Sequence, residues 1–219
     1  MNLIREARKL ANYIQSLEDE FIIYSTHKEF EHNHIGALLT DIILQAGLNY
    51  KTVVKPRIED ILINYPNADT LCEFKSLIYA KGLENVINWK HSIKLNRIIE
   101  LVEFLSDNNV NTCDDLKSYL LSASNRNELL AIHGIGFKTV DYLQKLLDFD
   151  IVAVDRHIYS FVENADIEIK GYEATKKTVE YAADFLNISR TSLDCSIWNY
   201  MSKKDYNKTN AQLEMQFNI

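Results

Sequence analysis

The sequence predicts an all-α protein, on three observations. Glycine and proline are scarce, six and two in 219 residues, which argues against a turn-rich β fold. Apolar residues recur with the helical period almost throughout, and no segment alternates convincingly with the period of a strand. Hydrophobic residues make up 47% and charged residues 25%, the balance of a folded chain rather than a disordered one. The length suffices to bury a core, as one large domain or two small lobes.

The helices follow in order. Leu3 to Leu17 carries apolar residues at 3, 4, 7, 10, 11, 14 and 17, one face of an amphipathic helix. Ile35 to Ala46 is almost wholly apolar and predicts a central buried helix. Tyr50 to Ile63, a segment beginning near Ala68, Ile93 to Leu105 and Asp114 to Leu121 follow, with breaks at Pro66, Gly82 and Asp107-Asn108-Asn109. A short helix ending at Ile132, one over Phe137 to Leu147, and two over 172–187 and 189–202 complete the set, and Asp205 to Ile219 reads as a polar tail.

Several function classes are disfavoured. No run of eighteen apolar residues occurs, and Met1 to Arg5 leads into a charged helix rather than a signal peptide, so an intracellular protein with no membrane partner is expected. Cys72, Cys113 and Cys195 are dispersed and odd in number, so they read as buried thiols of a reducing compartment, not as disulfides or a four-cysteine metal site. His27, His32 and His34 lack a second cluster to complete a metal site and read as solvated loop histidines; no metal is expected. The net charge of −7 rules against a broad basic face. Residues 170–208 hold seven Lys/Arg against five acids, a weak surplus, so nucleic-acid binding would rely on backbone amides and a few placed cations.

Chemistry concentrates in residues 127–161, NELLAIHGIGFKTVDYLQKLLDFDIVAVDRHIYSF. Gly134 and Gly136 bracket Ile135 between two helices, allowing a tight turn and a close backbone approach. The first N–H groups of the following helix then point outward, a ready site for a phosphate. Ile135 is the apolar pin between the helices. An ordinary αα-hairpin with a glycine C-cap has the same pattern, and the hairpin alone leaves the two readings level. Lys138 lies in the first turn of the second helix, where the dipole disfavours a cation, so it has either a route to solvent or a chemical role as a nucleophilic amine. Val152-Ala153-Val154 then delivers Asp155 to the start of another helix. There it serves as an N-cap, and a capping carboxylate is fixed in direction and available for chemistry as well.

Ile132-His133-Gly134-Ile135-Gly136-Phe137-Lys138-Thr139-Val140, followed by Ala153-Val154-Asp155-Arg156-His157-Ile158, resembles the signature of the helix–hairpin–helix DNA glycosylase superfamily, the endonuclease III group. There the pattern is L-P-G-(V/I)-G-x-K-T-A and then V-D-x-H. The helix 35–46 and Asn49-Tyr50-Lys51-Thr52-Val53 resemble that family's I-L-x-Q-N-T-x-W-x-x-V segment, which carries a residue that wedges into the DNA stack. Leu193 to Tyr200 resembles a late helix of several members, 8-oxoguanine glycosylases included. Two departures stand out: the four-cysteine iron–sulfur loop is absent, and His133 replaces the usual proline.

The resemblance implies two helical lobes with a DNA-binding cleft between them. One is a six-helix barrel over 28–149 carrying the helix–hairpin–helix; the other is built from 1–27 and 150–219. The expected partner is double-stranded DNA containing a damaged or modified base, bound by a monomer and excised from a flipped-out nucleotide. Lys138 would attack the sugar and Asp155 would stabilise its developing positive charge, making a bifunctional glycosylase with lyase activity at the abasic site. Gly134, Ile135 and Gly136 would grip a phosphate, with a monovalent cation allowed at the hairpin carbonyls and no other cofactor. Gln45, or Ala46 one residue on, would be the wedge. Tyr142, Trp198 and His133 are base-pocket candidates, with core packing the competing role for the first two. A non-catalytic DNA-binding module would need the hairpin alone, and a monofunctional glycosylase would activate water without the lysine. Lys138 and Asp155 at the family spacing favour the bifunctional form. Substitution of either glycine is expected to weaken DNA binding with the fold largely intact.

Overall fold

The computed structural model describes residues 2–25 and 33–217, with side chains as far as Lys204; His27 and His32 lie outside the described residues. Among the described residues there is no strand, as the sequence predicts. Helix α1 (Leu3–Ser16) opens the chain. It is followed by α2 (Ile35–Leu44), α3 (Lys55–Asn64), α4 (Leu71–Lys81), α5 (Leu83–Val86), α6 (Ser92–Asp107), α7 (Cys113–Tyr119), α8 (Ala123–Leu130) and α9 (Phe137–Leu146). Then come α10 (Arg156–Asn164), α11 (Tyr172–Leu186) and α12 (Arg190–Phe217). The chain divides into two compact units, Lys28–Asp148 and Met1–His27 with Phe149–Ile219.

The 28–148 unit is organised around α2, every residue of which is buried. It packs on α3, α4, α6 and α9. The Phe74 ring fills the space that a Cβ at Gly36 would occupy, so only glycine lets α4 approach α2 this closely. His34 is not a solvated loop residue, as its sequence neighbourhood suggests. It is 3% exposed and caps α2: its Nδ1 accepts the Ala37 N–H at 3.1 Å, and its ring meets Phe74 edge-on. An aromatic ring that caps and packs at once is buried for both reasons.

The segment predicted as one helix over Tyr50 to Ile63 begins instead with a π-helical turn, Tyr50–Val54, before α3. Pro56 explains the difference, because it has no N–H to give and its ring crowds the carbonyl four residues back. The wide turn relieves that clash, and Val54 and Lys55 donate to Asn49 and Tyr50, five residues back. Thr70 caps α4 through Glu73, so this helix starts later than Ala68. The polar tail expected from Asp205 continues α12 to Phe217. No glycine or proline follows Gly171 to stop it.

The unit formed by the chain ends buries Leu10, Ile14, Val154, Phe161, Val179, Leu193 and Ile197 in one core. Within it α1 packs on α11 and α10 on α12. Phe161 anchors an aromatic cluster, with Tyr13 and Tyr200 edge-on at 5.5 and 5.8 Å. Ser196 ties the N-terminal segment to α12 by accepting the Tyr24 N–H at 2.9 Å. The cysteines differ from expectation. Cys113 is buried, and desolvation pushes its thiol up to about 12, but Cys195 is only half-buried and Cys72 is exposed on the first turn of α4.

Candidate functional site

In the 28–148 unit, α8 and α9 form the helix–hairpin–helix. Ala131 and Ile132 close α8 by donating to the carbonyls of Glu128 and Leu129, and Ile135 donates to Ile132 at 3.1 Å. Gly134 takes φ +82°, and a Cβ there would strike the Arg97 guanidinium. Substitution at Gly134 therefore disturbs the hairpin itself, against the expectation that the fold would be spared. Gly136 caps α9 in an extended conformation, with nothing within 4 Å of where its Cβ would lie. Ile135 is 5% exposed, the buried pin between the helices, so any ligand meets its backbone rather than its side chain.

Among the described residues, the N–H groups of Gly134, Gly136 and Lys138 donate to no protein acceptor. They sit where α9 presents the positive end of its dipole. Lys138 is half-buried at the second position of α9, and its ammonium makes no ion pair or hydrogen bond among the described residues. His133 is exposed on the hairpin turn. Arg97 places a positive charge beneath Gly134, which weighs against a monovalent cation at the same turn, and no step below uses one.

Two features hold this motif that sequence patterns did not single out. Arg126 on α8 donates to Asp141 on α9 at 2.8 Å; Asp141 has no solvent exposure, and the guanidinium also lies 5.9 Å from the Phe137 ring. Tyr142, one turn beyond Lys138 and on the same face of α9, points its hydroxyl at Asp41 of α2 (3.5 Å), to which Tyr50 also donates at 3.1 Å. Asp41 is 1% exposed, so Tyr142 is bound into a buried polar cluster as well as facing the Lys138 side of the helix.

Gln45 is the C-cap of α2, half-buried, and Ala46 beside it is exposed. Lys94 of α6 donates to the carbonyls of Ile43 (2.7 Å), Ala46 (2.8 Å) and, more weakly, Leu44 (3.4 Å). Burial first, and the Arg97 guanidinium second, hold the Lys94 amine below the usual lysine value.

Asp155 and Trp198 belong to the other unit. Asp155 is the N-cap of α10, and its Oδ1 accepts from His157 (2.8 Å) and Ile158 (3.1 Å). Its Oδ2 makes no hydrogen bond among the described residues, and the residue is half-buried. The extended run before it has no strand to pair with, so side chains satisfy its amides. Val152 donates to Glu180 at 3.3 Å, Ala153 to Asp194 at 2.7 Å and Val154 to the Tyr172 hydroxyl at 3.2 Å. Trp198 is 40% exposed and meets His157 edge-on at 6.0 Å, so it is not core. The weak basic surplus of 170–208 is partly consumed inside the unit, since Arg190 pairs with Asp184 and Glu180, and Lys176 with Glu180.

No family model matches the chain, and no curated protein matches it by sequence. Among solved structures, that of the H. pylori 3-methyladenine DNA glycosylase (MagIII) bound to 1,N6-ethenoadenine is similar, with a TM-score of 0.58 at 19% identity. The match covers 95% of this chain and 99% of that one. No helix among the described residues is long and apolar enough to cross a membrane. The chain shares the all-α, helix–hairpin–helix fold of a DNA glycosylase.

Proposed function

We propose that this protein excises a damaged or modified base from double-stranded DNA, with Asp155 and Lys138 as its catalytic residues. The observation that carries the reading is the divided carboxylate of Asp155. One oxygen is consumed by the helix cap, while the other makes no hydrogen bond among the described residues and is half-buried at the end of a braced segment, two residues before His157, whose ring meets Trp198. A carboxylate preorganised in this way stabilises the positive charge that grows on a sugar as its base departs. The amides at Gly134, Gly136 and Lys138, which find no acceptor among the described residues, supply a phosphate grip of the kind that an acidic protein needs. Gln45 enters the base stack, and His133, Tyr142 and Trp198 are the side chains offered to the flipped nucleotide.

In the bifunctional form, the Lys138 amine attacks C1′ through its nitrogen electron pair, and the glycosidic bond breaks with its electron pair leaving on the base. Proton loss from nitrogen frees an electron pair that forms the C1′=N imine as the C1′–O4′ bond breaks, and O4′ takes up a proton, opening the sugar. Removal of a 2′ proton then expels the 3′ phosphate by β-elimination. Alkylated and etheno-modified purines are the first lesions to test, because the structural neighbour is a 3-methyladenine glycosylase bound to 1,N6-ethenoadenine. Oxidised pyrimidines and purines complete the panel.

The test is a set of duplexes with single defined lesions, incubated with and without borohydride. Release of one lesion class supports the glycosylase, and a reduced protein–DNA adduct lost in Lys138→Gln supports the lysine route. Base release without any adduct would leave Asp155 activating water, the monofunctional alternative. No release from any duplex would return the protein to a DNA-binding module.

The grip has its own test. Gly136→Ala places a methyl group in open space, so thermal melting should not change. The methyl would stand between the backbone and a bound phosphate, and duplex affinity should fall about tenfold, the worth of one charge-assisted hydrogen bond. The log–log salt slope of native binding should be shallow, because few Lys/Arg contacts release few counterions. Native affinity in the variant would remove the hairpin from the interface.

A further inference from the structure

Helix α6 carries two cations one turn apart, and each lies against a different loop of the 28–148 unit. Lys94 reaches the carbonyls of Ile43, Leu44 and Ala46. Its three donors are thereby committed, and its charge neutralises the negative end of α2 where Gln45 leaves the helix. Arg97, three residues on, lies under Gly134 with a buried Nε that makes no hydrogen bond among the described residues.

This pairing is electrostatically costly. Desolvation and the mutual repulsion of Lys94 and Arg97 both oppose the charge on Lys94. Neither cation has a carboxylate within ion-pair distance among the described residues, in a chain of net charge −7 with many acids to offer. A surface lysine placed only for solubility would turn outward to water. Lys94 instead spends its ammonium on one helix end.

We propose that Lys94 is a positioning residue for duplex opening, which fixes the Gln45 turn by binding the carbonyls of Ile43, Leu44 and Ala46. Through Arg97 the same helix supports the hairpin, so α6 sets the register between the residue that enters the stack and the amides that hold the phosphate. This rests on the reading that the protein binds damaged DNA with Gln45 at the base stack.

The test uses Lys94→Met, which keeps the aliphatic length and removes the ammonium, with Lys94→Arg as the conservative partner. The probe is a duplex with a tetrahydrofuran abasic analogue next to 2-aminopurine, whose fluorescence rises on unstacking. Native protein should bind and raise the fluorescence. Lys94→Met should keep its affinity within about threefold, since the hairpin is untouched, but lose most of the fluorescence rise. Amide exchange at Gln45, whose N–H donates to the Asp41 carbonyl at 3.0 Å, should accelerate about tenfold without DNA, and Lys94→Arg should restore part of both signals. Lys94→Gln, shorter but still a donor, covers the case in which methionine unfolds the protein. A native-like fluorescence rise or unchanged exchange in folded Lys94→Met overturns the positioning role. So does a collapse of affinity, which would make Lys94 a phosphate contact instead. Failure of the native protein to bind the duplex or to raise the fluorescence is a different result: it removes the DNA-opening reading before any variant is compared.

Discussion

Asp155→Asn is expected to slow base release by on the order of 10²–10³ while leaving the protein folded. The separation follows from how the two carboxylate oxygens are used. Oδ1 accepts from His157 and Ile158 at 2.8 and 3.1 Å, and an asparagine oxygen does the same. Asparagine ranks with aspartate as an N-cap, so α10 and the melting temperature should be preserved. What asparagine lacks is the charge on the second oxygen, which no described residue shares. Single-turnover excision on the released lesion measures the loss directly, with thermal melting run beside it. Native rates in a folded variant would reduce Asp155 to a cap and undo the catalytic assignment.

Arg126→Ala should destabilise the protein by about 3 kcal/mol, the low end for removing one partner of a buried ion pair. Asp141 has no solvent exposure, while the Arg126 side chain keeps 19%, so the carboxylate is the member that depends on the pair. The same guanidinium spans α8 and α9 and covers the Phe137 ring, so its loss loosens the two helices that present the hairpin. Urea denaturation should show a lower midpoint with an unchanged slope. An unaltered midpoint would mean that Ile135 and its apolar neighbours hold the hairpin unaided. Because Arg126 reaches no proposed substrate atom, DNA affinity measured well below the new midpoint should change far less than in Gly136→Ala.

Some of this was legible in the sequence and some was not, for identifiable reasons. The buried α2 was plain, because nothing but an interior helix accommodates so apolar a run as Ile35 to Leu44. The hairpin was plain because Gly134 sits at a positive φ that other residues avoid. Asp155 as an N-cap followed from its place between an apolar run and a helical period. Lys94 and Arg97 were illegible, since a lysine and an arginine on an amphipathic helix look like a solvated face until the carbonyls and the glycine they meet are known. Asp194 lay inside the segment Leu193 to Tyr200, yet its bond to Ala153 spans 41 positions and leaves no local pattern. The π-helical turn at Tyr50–Val54 was hidden because Pro56 at a helix start usually signals a clean beginning.

The extended run Val152-Ala153-Val154 works as a kinematic mount. Each of its three amides is held by a side chain, from Glu180 and Tyr172 of α11 and from Asp194 of α12. A short rod gripped at consecutive points from two helices is located in both position and tilt. The carboxylate at its tip therefore inherits its aim from the two helices jointly. A small slide of either helix is shared among the grips instead of being passed whole to Asp155, which is how the carboxylate proposed to be catalytic is held steady on a segment that has no secondary structure of its own.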